Sequence, residues 1–180
     1  TYFSSRLTIE SAHLAEGFDA VCIFVNDEAP REVIKVLAKG GVRLILLRCA
    51  GFNNVDAEAA KEYGIGYTIH LDENMNVADF NPDVAAAYRN SVVQTIELAK
   101  KLEIPVLNMH LIQGVYFTLP HVKVYLYDKF RDYYRDNMLR FRDDVTRAAE
   151  GSGVRICIEN WHAYTDYQVP VLDELLESPA

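Results

Sequence analysis

Nothing in this sequence approaches the roughly 20 consecutive apolar residues of a membrane-spanning helix, and no charged-then-apolar leader opens it. Basic residues are the minority: 18 Lys and Arg stand against 26 Asp and Glu, a net charge of −8. Nucleic-acid surfaces need clustered Lys and Arg, so this balance argues against nucleic acid as a partner. Cysteine is scarce, with three residues and no metal-type spacing, which leaves no disulfide framework. Cys22, Cys49 and Cys157 each lie inside an apolar run and are expected to be buried thiols, as in a reducing cytoplasm. No Gly-x-Gly-x-x-Gly follows a strand-like run, so a dinucleotide cradle is missing and NAD is not expected on this chain. Internal repeats and low-complexity tracts are also absent.

What remains is a globular composition, half hydrophobic and a quarter charged. Strand-like and helix-like runs alternate along it. Ala20–Val25 is a continuous apolar run of strand length, the pattern of a strand covered on both faces, and Val42–Leu47 is the next apolar strand. Between them Pro30 suits a first helical turn, and Gly40-Gly41 stops the helix. Asp56 caps a helix ending at Tyr63, with Gly64 beyond it, and a strand follows over Gly66–Ile69. A long helix runs from Pro82 to about Leu102, with Val84, Tyr88, Val92, Ile96 and Ala99 on its inner face. Ile104–Met109 is a strand, Leu111–Tyr125 an aromatic-rich connection, and Lys129–Glu150 a second long helix with Phe130 inward. Val154–Ile158 is the last strand, and Leu172–Leu176 begins a final helix. Strand–helix–strand connections imply parallel strands with right-handed crossovers. The fold class is α/β.

Three polar residues stand in phase on this pattern. His70, His110 and Glu159 each directly follow an apolar strand. Neighbouring parallel strands lie about 4.8 Å apart, so the three groups converge on one edge of the sheet. Two imidazoles and a carboxylate suit a divalent cation such as Zn²⁺, Mn²⁺ or Mg²⁺. His13, His121 and His162 are out of phase and read as surface or loop residues.

Two family resemblances divide the chain. GFDAVCIFVN and RCAGFNNVD, within residues 1–65, resemble the substrate-binding domain of D-2-hydroxyacid dehydrogenases of the D-lactate type. That resemblance implies that the turn at Ala50 and Gly51 offers backbone N–H groups to a substrate carboxylate. The same residues also read as a plain tight turn held by Asn53 and Asn54. YTIHLDENMN, ADFNP, IPVLNMHLIQGVYFTLP, KVYLYDKF and VRICIEN, within residues 66–180, resemble xylose-isomerase-like TIM barrels of the sugar isomerase/epimerase and apurinic-endonuclease type. This implies a partial TIM-barrel-like sheet preceded by a flavodoxin-like βα segment. It also implies metal ligation by Glu159, His110 and His70, and a catalytic acid/base role for Glu159. Substrate contacts would come from His70, His110, Asn108 and Asn160. The loop from Gln113 to Leu119 would cover the pocket, and Trp161 would narrow it.

The combined expectation is a metal-dependent sugar or sugar-phosphate isomerase/epimerase with an incomplete site. The alternatives are a D-2-hydroxyacid dehydrogenase fragment without its cofactor domain, or a non-catalytic chimeric α/β chain. Both ends of the sequence read as cut, and self-association through open sheet edges is expected.

Overall fold

The computed structural model describes every residue except Trp161 and His162, so the expectations placed on those two lie outside the described residues. A 3₁₀ turn over Ala12–Ala15 precedes β1 (Ala20–Ile23), α1 (Arg31–Lys39), β2 (Leu44–Leu47) and α2 (Ala57–Tyr63). Asp56 accepts from the Ala59 N–H at 2.8 Å, and Gly64 takes φ 68° beyond the last turn. An acceptor at the head and a glycine past the end set that helix's length. Then come β3 (Gly66–Tyr67), β4 (Ile69–His70) and α3 (Pro82–Leu102), which is capped by the Asn81 side chain. The chain continues through β5 (Val106–Met109), β6 (Tyr116–Leu119), β7 (Val122–Tyr125), α4 (Leu126–Lys129), α5 (Arg131–Ala149), β8 (Arg155–Ile158) and α6 (Val169–Leu175).

Two parallel sheets, ordered β1-β2-β3 and β4-β5-β8, run side by side along one strand path. Ile45 lies opposite Tyr67 in the first, and Leu107 lies opposite both Ile69 and Ile156 in the second. At Thr68 the path steps out of the ladder. Its N–H donates to the Ile45 carbonyl at 3.2 Å, and its hydroxyl accepts from the Leu47 N–H at 3.1 Å. Both backbone groups therefore stay paired although the sheet breaks there. The strands of these two sheets are parallel and alternate with helices, and among the described residues they do not close into a barrel.

Alternation along the strands separates two faces. Ile23, Ile45, Leu47, Tyr67, Ile69, Leu107 and Met109 are buried under the helices. On the other face Leu44, Leu46, Val106 and Asn108 are half-buried, and Cys22 and Cys157 are exposed. The expectation of cover on both faces is thus corrected. Only Cys49 of the three thiols is buried. A four-residue apolar run shows that a strand has at least one buried face, but not that it has two.

Other boundaries also shift. The expected loop at 111–125 contains an antiparallel hairpin, β6–β7, with Leu119 opposite Val122 across Pro120-His121. Its strands are largely exposed. The expected helix over 129–150 is broken at Phe130, whose φ −124° and ψ 50° leave helical space and turn the ring outward. Phe130 meets Phe80 edge-on at 5.7 Å instead of entering the core. Val84 is likewise exposed, and Ala85 takes the buried place on α3.

Candidate functional site at the carboxyl ends of the strands

Strand register builds the site. His70 pairs with Asn108, and Asn108 with Cys157, so their side chains share the open face. His110 and Glu159 each lie two residues further along their strands and therefore return to that face. His70 is 2% exposed. Its Nδ1 lies 2.6 Å from the Leu71 carbonyl, an oxygen that can only accept, so Nδ1 carries the proton and donates. In a neutral ring the Nε2 lone pair then faces Glu159, whose Oε1 is 3.4 Å away. His110 Nε2 lies 3.4 Å from Glu159 Oε2, and the two imidazoles meet edge-to-face at 4.8 Å.

Two acceptors facing each other repel unless a proton or a cation lies between them. The three candidate ligand atoms all stand within 4.8 Å of one another. Two ligands about 2.1 Å from a tetrahedral ion are themselves roughly 3.4 Å apart, which matches the two nitrogen–carboxylate distances. An Nδ1–H held by a backbone carbonyl also fixes the tautomer that a metal-bound histidine needs. The donor set therefore fits a divalent cation.

Several supporting residues carried no sequence signal. Gln168, fully buried, donates through Nε2 to the Leu111 and Ile112 carbonyls at 3.0 and 3.2 Å. Its Oε1 accepts from the Thr165 N–H and hydroxyl, both at 3.0 Å. Tyr167 donates to the Gln113 carbonyl at 2.7 Å. The loop after His110 is thus tied to the segment after Glu159. Asn76 donates to the Tyr127 hydroxyl at 2.9 Å, and that hydroxyl donates to the Ala78 carbonyl at 2.7 Å. Burial pushes the Tyr127 phenol up to about 12 and raises the Tyr134 phenol as well. An amide or phenol shows in sequence only as a polar residue in an apolar stretch.

At the turn after β2, one of the two N–H groups expected to face a substrate carboxylate is already engaged. The Gly51 N–H donates to the His70 carbonyl at 2.9 Å and is not available to a substrate carboxylate. Asn54 ties the turn to the β1–α1 connection by donating to the Asp27 carbonyl at 3.1 Å. Asn160, beyond Glu159, is exposed; His121 is exposed on the hairpin turn and His13 in the 3₁₀ turn.

The N-termini of α1, α2 and α3 do not suit a nicotinamide dinucleotide. α1, α2 and α3 open with Glu32, Glu58 and Asp83 in their first turns, and Asp56 caps α2. Carboxylates there repel the pyrophosphate that a dinucleotide site places at a helix N-terminus.

Comparison with known proteins decides the family. The family model for the D-isomer specific 2-hydroxyacid dehydrogenase catalytic domain matches residues 1–170. The chain belongs to that family. D-lactate dehydrogenase of Escherichia coli (strain K12) is 42% identical over 95 residues, 53% of this chain and 27% of the relative. The 2-hydroxyacid dehydrogenase homolog 1 of Schizosaccharomyces pombe (strain 972 / ATCC 24843) is 55% identical over 64 residues, 36% of this chain and 19% of the relative. These matches span about a quarter or less of each curated relative's length. Among solved structures, 3-keto-D-glucoside 4-epimerase from E. coli is similar at TM-score 0.60 and 16% identity, over 87% of this chain and 64% of that one. A D-tagatose 3-epimerase-like protein is similar at TM-score 0.57 and 18% identity, over 82% and 54%. Likeness at that identity shows the fold alone.

The reading of the chain as a metal-dependent isomerase or epimerase is therefore corrected. The dehydrogenase model extends far past residue 65, through most of the stretch that suggested the sugar enzymes. The resemblance of residues 66–180 to the sugar epimerases holds for the fold, as the two solved epimerase-type structures show, and does not carry to the function.

Proposed function

We propose that this chain is the substrate-binding part of a D-2-hydroxyacid dehydrogenase and takes a short 2-hydroxy or 2-oxo acid at the carboxyl ends of β4, β5 and β8. The observation that carries the proposal is the family match across residues 1–170. His70 accepts from the C2 hydroxyl of a 2-hydroxy acid through Nε2, His110 and Glu159 meet the same end of the substrate, and Asn108 and Asn160 line the approach. Hydride transfer needs a nicotinamide held outside the described residues. The chain alone therefore binds but does not turn over. Isothermal titration with D-lactate and oxamate tests this: saturable binding, without NADH oxidation in the presence of pyruvate, is expected. Absence of binding by both acids would refute it.

A second reading of the same atoms rests on their mutual spacing. His70, His110 and Glu159 hold a Zn²⁺, Mn²⁺ or Mg²⁺ ion, with the 2-hydroxy acid filling positions the protein leaves open. Such an ion would polarise the C2 oxygen. Self-association through the open β1 and β8 edges belongs to the proposal as well, and sedimentation velocity at two protein concentrations would read it.

A further inference from the structure

The β6–β7 hairpin turns its apolar side chains to solvent and its polar ones to the protein. Ladder pairing sorts them into two rows. Tyr116 lies opposite Tyr125 and Thr118 opposite Lys123 on one face; Phe117 lies opposite Val124 and Leu119 opposite Val122 on the other. The first face is the inner one. Tyr125 packs against the core with its ring 6.3 Å from that of Tyr167, and Tyr116 meets Tyr125 at 5.5 Å. The Lys123 Nζ stands 4.7 Å above the Tyr116 ring. The second face therefore points away from the protein. Phe117, Leu119 and Val122 are 55%, 50% and 55% exposed, and Val124 is half-buried at the root. An antiparallel ribbon with one wet face ordinarily alternates the other way, apolar inward and polar outward.

This outer face is held in place and left unguarded. The Leu126 N–H donates to the Val115 carbonyl at 3.0 Å, and Tyr167 donates to the Gln113 carbonyl at 2.7 Å, so the hairpin's root is fixed to the body. Among the described residues β6 and β7 pair only with each other, and a two-stranded ribbon without cover is marginal in water. Lys123, the charge that could discourage association of an exposed strand, lies on the inner face.

Area and charge say what covers it. The four outer side chains leave roughly 350 Å² of apolar surface in water, the size of a patch that on a monomer is often functional. Interfaces are about 57% apolar, so a contact centred on this face buries roughly 600 Å² on each partner, or about 1,200 Å² in all. That is the low end of specific association. The chain carries a net charge of −8, so two copies repel wherever acidic surfaces meet. The uncharged face is where that repulsion is least, and a two-fold axis through it sets each apolar row against the same row of the other copy. We propose that two copies of this chain associate through the outer face of the β6–β7 hairpin, Phe117, Leu119, Val122 and Val124 of one packing on those of the other. This contact is separate from edge pairing at β1 or β8.

The test is sedimentation velocity over a roughly 100-fold range of concentration, on wild type, Leu119→Asp, Val122→Lys and Thr118→Asp. Wild type is expected to show a reversible monomer–dimer equilibrium, with Kd weaker than about 1 μM for an interface of this size. Leu119→Asp and Val122→Lys each place a charge in the dry contact and should weaken the dimer roughly tenfold or more. Thr118→Asp puts the same carboxylate one residue away, on the inner face opposite Lys123, and should leave the dimer as it is. Circular dichroism melts confirm that all four fold. A wild type that stays monomeric throughout overturns the proposal, and a monomer that floats with phosphatidylcholine vesicles gives the face to lipid instead. A dimer untouched by both outer-face variants, or weakened as strongly by Thr118→Asp, places the contact elsewhere and overturns it too.

Discussion

Replacing Gln168 by leucine tests whether the two halves of the site are held by one buried amide. Leucine matches the volume but makes none of the four hydrogen bonds that Gln168 forms with Leu111, Ile112 and Thr165. Each such bond contributes about 1 kcal/mol net, and leaving buried partners unsatisfied raises the cost per group to about 1–3 kcal/mol. Thr165 and Ile112 are only partly buried, so water recovers some of that loss there, while the Leu111 carbonyl is buried. The expected destabilisation is about 3 kcal/mol, a fall in Tm of roughly 10 °C for a chain of this size. Urea unfolding followed by far-UV circular dichroism should show a lower midpoint with an unchanged slope. The loop after His110 loosens in the same variant, so under the cation reading Zn²⁺ affinity should fall by roughly 10- to 100-fold. A loss below about 1 kcal/mol with metal affinity unchanged would show that Gln168 does not organise the site.

Other outcomes follow from the same structure. Gly114 has φ 68°, and an added Cβ would lie 2.1 Å from the Tyr127 ring, so Gly114→Ala should cost about 3 kcal/mol in urea unfolding. Stability should fall in alkali: with its folded value pushed up to about 12, Tyr127 contributes stability that is fully present below the ordinary phenol range near 10 and is lost as pH rises through about 12. Burial raises Tyr134 in the same direction. A pH series of urea midpoints from 8 to 11, flat at first and falling above about 10, checks the sign. Saturating Zn²⁺ should raise Tm by several degrees, and Glu159→Gln and His110→Ala should each abolish most of that rise; unchanged shifts in both variants would remove the cation reading.

How much of this was legible in the sequence differs by element. Asp56 and Gly64 bounded α2 correctly because an acceptor before a helix and a glycine after it are local necessities. The phase of His70, His110 and Glu159 needed only strand ends and a parallel register, so their meeting was legible too. The open face was not, because Cys22 and Cys157 sit in runs as apolar as those of covered strands. The β6–β7 hairpin was missed because Pro120-His121 lacks the Gly or Asn of the commonest two-residue turns, though Val122 and Val124 alternate as strand residues do. Phe130 looked like a core residue by helical spacing, and nothing local announces the break that turns it outward. Enzyme class was the least legible. Polar residues at strand ends occur in unrelated α/β enzymes, and only the match across residues 1–170 separated them.

Amide chemical-shift mapping with D-lactate is the most direct test of the central claim. Binding at the proposed site should move the resonances of Gly51, His70, Leu71, His110 and Glu159 along one saturable curve, with Gly151 and Ser152 at the opposite edge unmoved. Shifts confined to other residues, or none at millimolar acid, would contradict a 2-hydroxyacid site at the carboxyl ends of β4, β5 and β8.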